Sequence, residues 1–238
     1  IALEENIRFF VTSLGKPDWV CKKVHEANGF VYHDVTNRYY AKKGIDSGVD
    51  GLICVNNRAG GHLGPNSMES MYEELHDLEI PLICAGGIGS KFELSKALSL
   101  GYNGVQMGTR FVASTECNTL EDYKSAIVNA SEEDIVSTTR LTGVPVSVIK
   151  SNDFQEDNSW FFKKLLNSRF KHKARMVLNL ISLFRSKYFL KNRKSKNSKK
   201  TRSLYSAGKS VQTIKKIDSA TSIMQYLGSS ISTPNIDE

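Results

Sequence analysis

The 238-residue sequence contains no run of about eighteen consecutive apolar residues, so nothing in it reads as a membrane-spanning helix. It does not open on the basic-then-apolar pattern of a secretory signal. Cysteine is scarce: Cys21, Cys54, Cys84 and Cys117 stand far apart, and no CxxC or HExxH spacing offers a metal site. Neither GxGxxG nor GxxxxGK[ST] occurs, which leaves the usual dinucleotide and nucleoside-triphosphate loops without support. Cys54 and Cys84 fall inside strand-like runs, so the four cysteines read as reduced core thiols of a cytoplasmic protein. Acidic residues are missing from one long stretch. Between residues 158 and 217 there are eighteen Lys and Arg and no Asp or Glu, whereas the remainder carries fourteen basic against twenty-five acidic residues. The net charge of +7 therefore hides an acidic body and a basic insert.

Up to residue 115 the chain repeats a strand-then-helix rhythm. Strands are predicted at residues 7–13, 29–33, 51–55, 81–85 and 104–107, and helices at 18–28, 39–47, 67–78 and 90–100. Gly29, Gly48 and Gly101 supply left-handed stops, and Ser67 and Ser90 are candidate N-caps. Strands apolar on both faces, alternating with helices every 20–30 residues or so, predict a parallel sheet in either a TIM barrel or a doubly wound fold. Further on, a helix is predicted at 120–130, an extended stretch at 142–149, and a last helix at 210–227. Residues 158–190 interleave aromatic, aliphatic and basic residues at helical spacing, and 191–204 read as a Lys-rich loop.

In a (β/α) barrel the active face is the C-terminal end of the strands. Those ends carry Ser13-Leu14-Gly15, His33-Asp34, the run from Asn56 to Gly64, Gly86-Gly87, and Gln106-Met107-Gly108-Thr109. Gly86-Gly87 and Gly108-Thr109, on successive strands, can aim main-chain N–H groups at a phosphate, helped by the helix that begins near Ser90. His62 follows Gly60-Gly61 in a strand-end loop, where an imidazole can move a proton to or from carbon or bond a phosphate. His33 reads as a pocket-lining residue. His25 and His76 fall on helices, and His172 falls in the insert.

The runs Ala59-Gly-Gly-His-Leu-Gly64, Ala85-Gly-Gly-Ile88 and Val105-Gln-Met-Gly-Thr-Arg-Phe111 resemble the motif series of the nitronate monooxygenases, or 2-nitropropane dioxygenase-like flavoproteins. Tyr205-Ser-Ala-Gly-Lys-Ser210 also resembles a segment of some members. The resemblance implies a TIM-type (β/α)8 barrel with non-covalent FMN. It implies His62 as catalytic acid/base, phosphate contacts from Gly87, Gly108 and Thr109, Gln106 and Met107 beside the flavin, and Gly60 in the loop under it; Gly86 is read with Gly87 as cofactor-binding. Family members oxidise alkyl nitronates with O2 to a carbonyl compound and nitrite. Val55 stands where members often carry Gln or Glu, and Arg58 where they carry Glu.

The expected organisation is an α/β chain with about the last five β/α units of the barrel in residues 1–150, a basic helical insert in 151–204, and a C-terminal helix and tail in 205–238. The chain opens on Ile1, and the family's Pro-Met loop on the first strand has no counterpart in it. The expected partners are a small nitronate and O2, with no nucleic acid. The insert reads as a lid packed on the acidic body rather than a membrane-surface contact. The alternative activity is a flavin-dependent enoyl-acyl-carrier-protein reductase using NAD(P)H, which shares the Ala-Gly-Gly-His motif. On this reading residues 1–238 alone bind FMN weakly or not at all. Purification of the 238-residue chain with a stoichiometric flavin spectrum counts against it.

Overall fold

The computed structural model describes residues 1–138, 144–150 and 205–229. The chain runs β1 (Phe9–Thr12), α1 (Asp18–His25), β2 (Phe30–Val35), α2 (Arg38–Asp46), β3 (Gly51–Val55), β4 (Gly61–His62), α3 (Met68–Leu75), β5 (Leu82–Ala85), α4 (Lys91–Leu100) and β6 (Gly104–Gln106). It continues with α5 (Thr109–Val112), α6 (Glu121–Asn129), β7 (Ile135–Thr138), β8 (Val146–Ile149) and α7 (Ala220–Gly228). Short 3₁₀ turns lie at His76–Leu78, Glu132–Asp134 and Lys209–Thr213. Among the described residues no helix is long and apolar enough to cross a membrane.

Five strands form one parallel sheet in the order β1-β2-β3-β5-β6. A doubly wound sheet reverses its order at a switch point. This one never does, so right-handed crossovers put its helices on one face, as in a barrel wall. α2 packs on α3, and α3 on α4. The helix-side face of the sheet buries Val31, Val35, Leu52, Cys54, Leu82 and Cys84 against apolar stripes such as Met68, Met71 and Leu75 of α3. The local signals in the sequence explain the helix ends. Ser67 accepts from the Ser70 amide, and Ser90 with Glu93 closes a capping box on α4. Gly101 ends α4 at a φ of 110°.

Strand alternation sends the other set of side chains to the opposite, inward face. There the Phe9 and Tyr32 rings lie 5.0 Å apart. Phe9, Val11 and Phe30 remain 55%, 49% and 57% exposed, and β1 and β6 each pair on one side only. The sheet is an α/β half-barrel.

A second, antiparallel sheet, β4-β8-β7, stands over the strand ends. His62 pairs with Val146, and Gly61 with Ser147. The segment after residue 204 is woven into the same layer: the Ile149 amide donates to Tyr205 O (2.8 Å), and Val148 bridges Ser206. Ala207, Val211 and Ile214 join Ala113, Ile127, Ala130, Ile135 and Ile149 in a second core. Ile223 and Leu227 of α7 enter the first core.

One expectation changes here. The single helix predicted at 210–227 is a 3₁₀ turn and α7, separated by residues 214–219. Ile214 is drawn into the second core, and Arg110, only 6% exposed, grips the connection through Lys216 O (2.9 Å) and Asp218 Oδ2 (2.7 Å). Residues 207–227 contribute to both cores. The basic insert at 151–204 and the tail at 230–238 lie outside the described residues.

An ion-pair cluster ties the second layer to the loop after β3. Arg58 holds Glu132 with two hydrogen bonds, of 2.8 and 2.7 Å, and Lys209 Nζ lies 3.2 Å from the same carboxylate. The hydrogen bond from Arg58, with that from Lys209, keeps the Glu132 carboxyl below its usual range. A depressed carboxyl contributes stability that is complete above its unfolded-state pKa and is lost as the pH falls through the folded value. The stability gap between the parent and Glu132→Gln is therefore expected to be constant above about pH 5 and to shrink below about pH 4. Urea unfolding across that range checks it, and a gap independent of pH refutes it.

Candidate active site

The C-terminal ends of the five parallel strands open into one cavity of about 950 Å³. That is the upper end of the size range of small-molecule and cofactor sites. Every residue predicted for the site lines it: Gly60, His62, Gly86, Gly87, Gln106, Met107, Gly108 and Thr109. They come from three strand ends and are brought together by the topology alone.

The run after β3 is folded around Asn56, which is fully buried. Its Oδ1 accepts from the Arg58 amide (2.8 Å), and its Nδ2 donates to Gly86 O (2.9 Å). Its main-chain carbonyl receives the amides of Ala59 and Gly64, so the Ala-Gly-Gly-His run is drawn into a closed loop. Gly86 and Gly87 have φ values of 120° and 78°. A Cβ on Gly86 would meet Asn56 Oδ1 and lie 2.7 Å from Ala59 N, so the turn needs glycine for both conformation and space. The amides of Gly87, Gly108 and Thr109 donate to no other group among the described residues, and a Cβ on Gly108 would meet nothing. Open N–H groups at two adjacent strand ends, the second at the start of a helical turn, form an anion cradle.

Residues 205–213 close this end of the cavity. Thr109 Oγ1 accepts from the Gly208 amide (3.0 Å), which leaves its hydroxyl hydrogen for a ligand. Gly60 and Gly208 pack backbone to backbone: a Cβ on Gly60 would lie 2.7 Å from Gly208 N. Ser206 and Ser210 line the wall, and Tyr123 OH donates to Ser206 O. Both serines sit in the Ser-Ala-Gly-Lys-Ser run, the signal by which sequence reasoning would have assigned them to the site. Lys209 in that run and Arg58 both turn to Glu132, so two cations share one carboxylate beside Gly87. The positive charge at Arg58 is thus paired, and Arg110 of the third motif anchors the C-terminal segment through Asp218.

At the far end of the cavity lie Ser13, His33 and Asp34. His33 is buried, and its Nδ1 is 2.8 Å from Thr12 Oγ1. That hydroxyl donates to Tyr32 O, so it accepts from Nδ1–H. Burial holds the His33 pKa below its usual value, in keeping with a neutral ring. Val55 lies between the two ends. His62 is exposed at the cavity rim on β4. Cys54 and Cys84 are buried, and desolvation pushes both thiols up to about 12, so neither is a nucleophile at neutral pH. All four cysteines are free thiols. Among the described residues no cluster of His, Cys, Asp and Glu is placed to hold a metal ion.

The pattern that defines the nitronate monooxygenase family matches residues 1–229. A probable nitronate monooxygenase of Staphylococcus saprophyticus is 28% identical over 173 residues, which cover 67% of this chain and 49% of that protein. The (3aS,4S,5R,7aS)-5-hydroxy-7a-methyl-1-oxo-octahydro-1H-indene-4-carboxyl-CoA dehydrogenase of Mycobacterium tuberculosis is 28% identical over 155 residues, 63% of this chain and 44% of its own. This chain spans less than half the length of both. The solved structure of FabK from Thermotoga maritima superposes with a TM-score of 0.73 at 25% identity, over 96% of this chain and 69% of FabK. With a half-barrel sheet, three motifs on consecutive strand ends and a family match that takes in both cores, the chain belongs to the nitronate monooxygenase family.

Proposed function

We propose that this chain builds an FMN site at which alkyl nitronates are oxidised by O2 to a carbonyl compound and nitrite. The observation that carries this reading is the meeting of two sets of open main-chain N–H groups and a histidine in one strand-end cavity. Gly87, Gly108 and Thr109 fit a phosphate, which accepts hydrogen bonds and takes no donors away from the protein. Gly86 supports the turn. The excess of cations over the Glu132 carboxylate favours a bound dianion. Bound FMN supplies the redox chemistry.

The protein's share of the work is positioning and proton handling. Gly60, pinned against Gly208, sets the loop that carries His62. Gln106 and Met107, at the end of β6, fall beside the ligand once its phosphate is seated. His62, on a loop held by Asn56 at one end and by β8 at the other, exchanges a proton at the substrate carbon.

A second reading is a flavin-dependent reductase of enoyl thioesters using NAD(P)H. It is favoured by the Mycobacterium tuberculosis relative, whose name gives it a CoA thioester substrate. The two readings separate on cofactor demand. The protein expressed from its complete coding sequence is expected to release nitrite and take up O2 with an alkyl nitronate and no NADH. Rapid NADH oxidation dependent on an enoyl thioester, without nitrite release, supports the second reading instead. His62→Asn is expected to lower kcat by about a hundredfold or more while the flavin stays bound. Unchanged turnover removes His62 from the chemistry.

A further inference from the structure

Asp34 is the acidic residue of the cavity wall, and its environment is unusual. Strand alternation puts it on the inward face, where the register aligns it with Ile53, then Ile83, then Gly104. It is the one ionisable side chain in that row. Ser13 hydrogen-bonds its carboxyl, but the other oxygen, Oδ1, is buried and has no partner. Among the described residues it is the only buried side-chain oxygen or nitrogen in this condition. An unsatisfied buried polar atom is destabilising, and in a native structure it marks a group that something else completes. Among the described residues no lysine or arginine lines the cavity, and the neighbouring His33, whose Nδ1 is bonded to Thr12, is held below its usual pKa by burial.

Its distance from the anion cradle narrows the choice of ligand group. Asp34 is on β2 and Gly86-Gly87 follow β5, so β3 alone stands between them. Two strand steps are about 10 Å. Across that interval the wall is Val55 and Ala85, which offer no hydrogen bond. A ligand whose phosphate sits at Gly87 and Thr109 reaches Asp34 only with the far, ring end of its body. Of the two edges of the flavin ring at that end, only the pyrimidine edge can satisfy a carboxyl oxygen, through a single imide N–H between two carbonyls.

We propose that Asp34 is the cofactor-positioning residue at this end of the cavity, with Oδ1 accepting the imide N–H of the bound flavin. The assignment rests on the FMN reading above. Burial pushes the Asp34 carboxyl up, which fits a group that meets a neutral ring edge without a cation beside it. A carboxyl held this way would orient the ring by one directional contact at the end of the cavity away from the anion cradle.

The test pairs a protein variant with a ligand variant. The protein expressed from its complete coding sequence is stripped of flavin and titrated, by fluorescence quenching, with FMN and with FMN methylated on its imide nitrogen. For the parent, methylation is expected to weaken binding about tenfold, the value of one hydrogen bond. For Asp34→Ala, both ligands are expected to bind equally, at the weaker affinity. Asp34→Asn, which keeps an acceptor oxygen, is expected to retain part of the preference for FMN. Equal affinity of the parent for the two ligands overturns the assignment without any variant. An equal loss on methylation in the parent and in Asp34→Ala overturns it as well. Failure of the parent to bind FMN at millimolar concentration overturns the FMN reading itself, a result distinct from either.

Discussion

The site depends first on the buried carboxamide of Asn56. It sits where β3 ends and spends both of its polar atoms on turns: Oδ1 on the Arg58 amide and Nδ2 on Gly86 O. With no exposure to water, neither bond has an alternative partner, so each loop is held in one conformation. The pull on Gly86 O is what leaves the following amide facing the cavity. The same residue's main-chain carbonyl collects Ala59 and Gly64 and so fixes the loop that carries His62. One residue, through its side chain and its carbonyl, thereby sets the spacing between the anion cradle and the candidate proton carrier. A cradle built without its ligand does not have to be ordered on binding, which is the usual source of affinity in such sites.

The polar residues of the motifs divide between the cavity and the scaffold, and the division follows burial. Thr109 faces the cavity, and its neighbour Arg110 turns inward to hold Lys216 O and Asp218. Arg58 and Lys209, either of which looks like a phosphate ligand in one dimension, spend their charge on Glu132. On the FMN reading a direct cation is not needed, because main-chain N–H groups can satisfy a phosphate. The pair instead binds three remote segments, the β3 loop, the turn at Glu132–Asp134 and the turn at Lys209–Thr213, into one wall. The C-terminal segment is therefore part of the site. It supplies Ser206, Ser210 and the Gly208 backbone against which Gly60 is packed.

What the sequence made legible is what local chemistry determines. The five strands and the first four helices are written in apolar runs, serine caps and glycine stops, all of which act within a few residues. The strand-end residues follow, because a barrel wall delivers every strand's C-terminus to one face. What stayed hidden depends on distant partners. β4 has two residues and exists only because Val146 and Ser147 lie beside it. The break after Ile214 needs Arg110, more than a hundred residues earlier. Strand ladders between the first and second cores have no periodicity to betray them. Asp34 was visible as a strand-end residue next to His33, but its missing partner is a property of the packed cavity.

The two ends of the cavity are built to different standards, and this bears on how the ligand is held. The end at β5 and β6 is roofed by residues 205–213 and cross-braced by Asn56, Thr109 and the Glu132 cluster. The end at β1 and β2 has a single wall. Leu14 there is 78% exposed, and the inward rings of Phe9 and Phe30 have no cover among the described residues. Closing the sheet into a barrel would pack apolar side chains against that face and pair the open edges of β1 and β6. Recognition then separates along the ligand. On the FMN reading, the phosphate end falls on backbone geometry that this chain already holds in place, and the ring end falls on the contact proposed for Asp34.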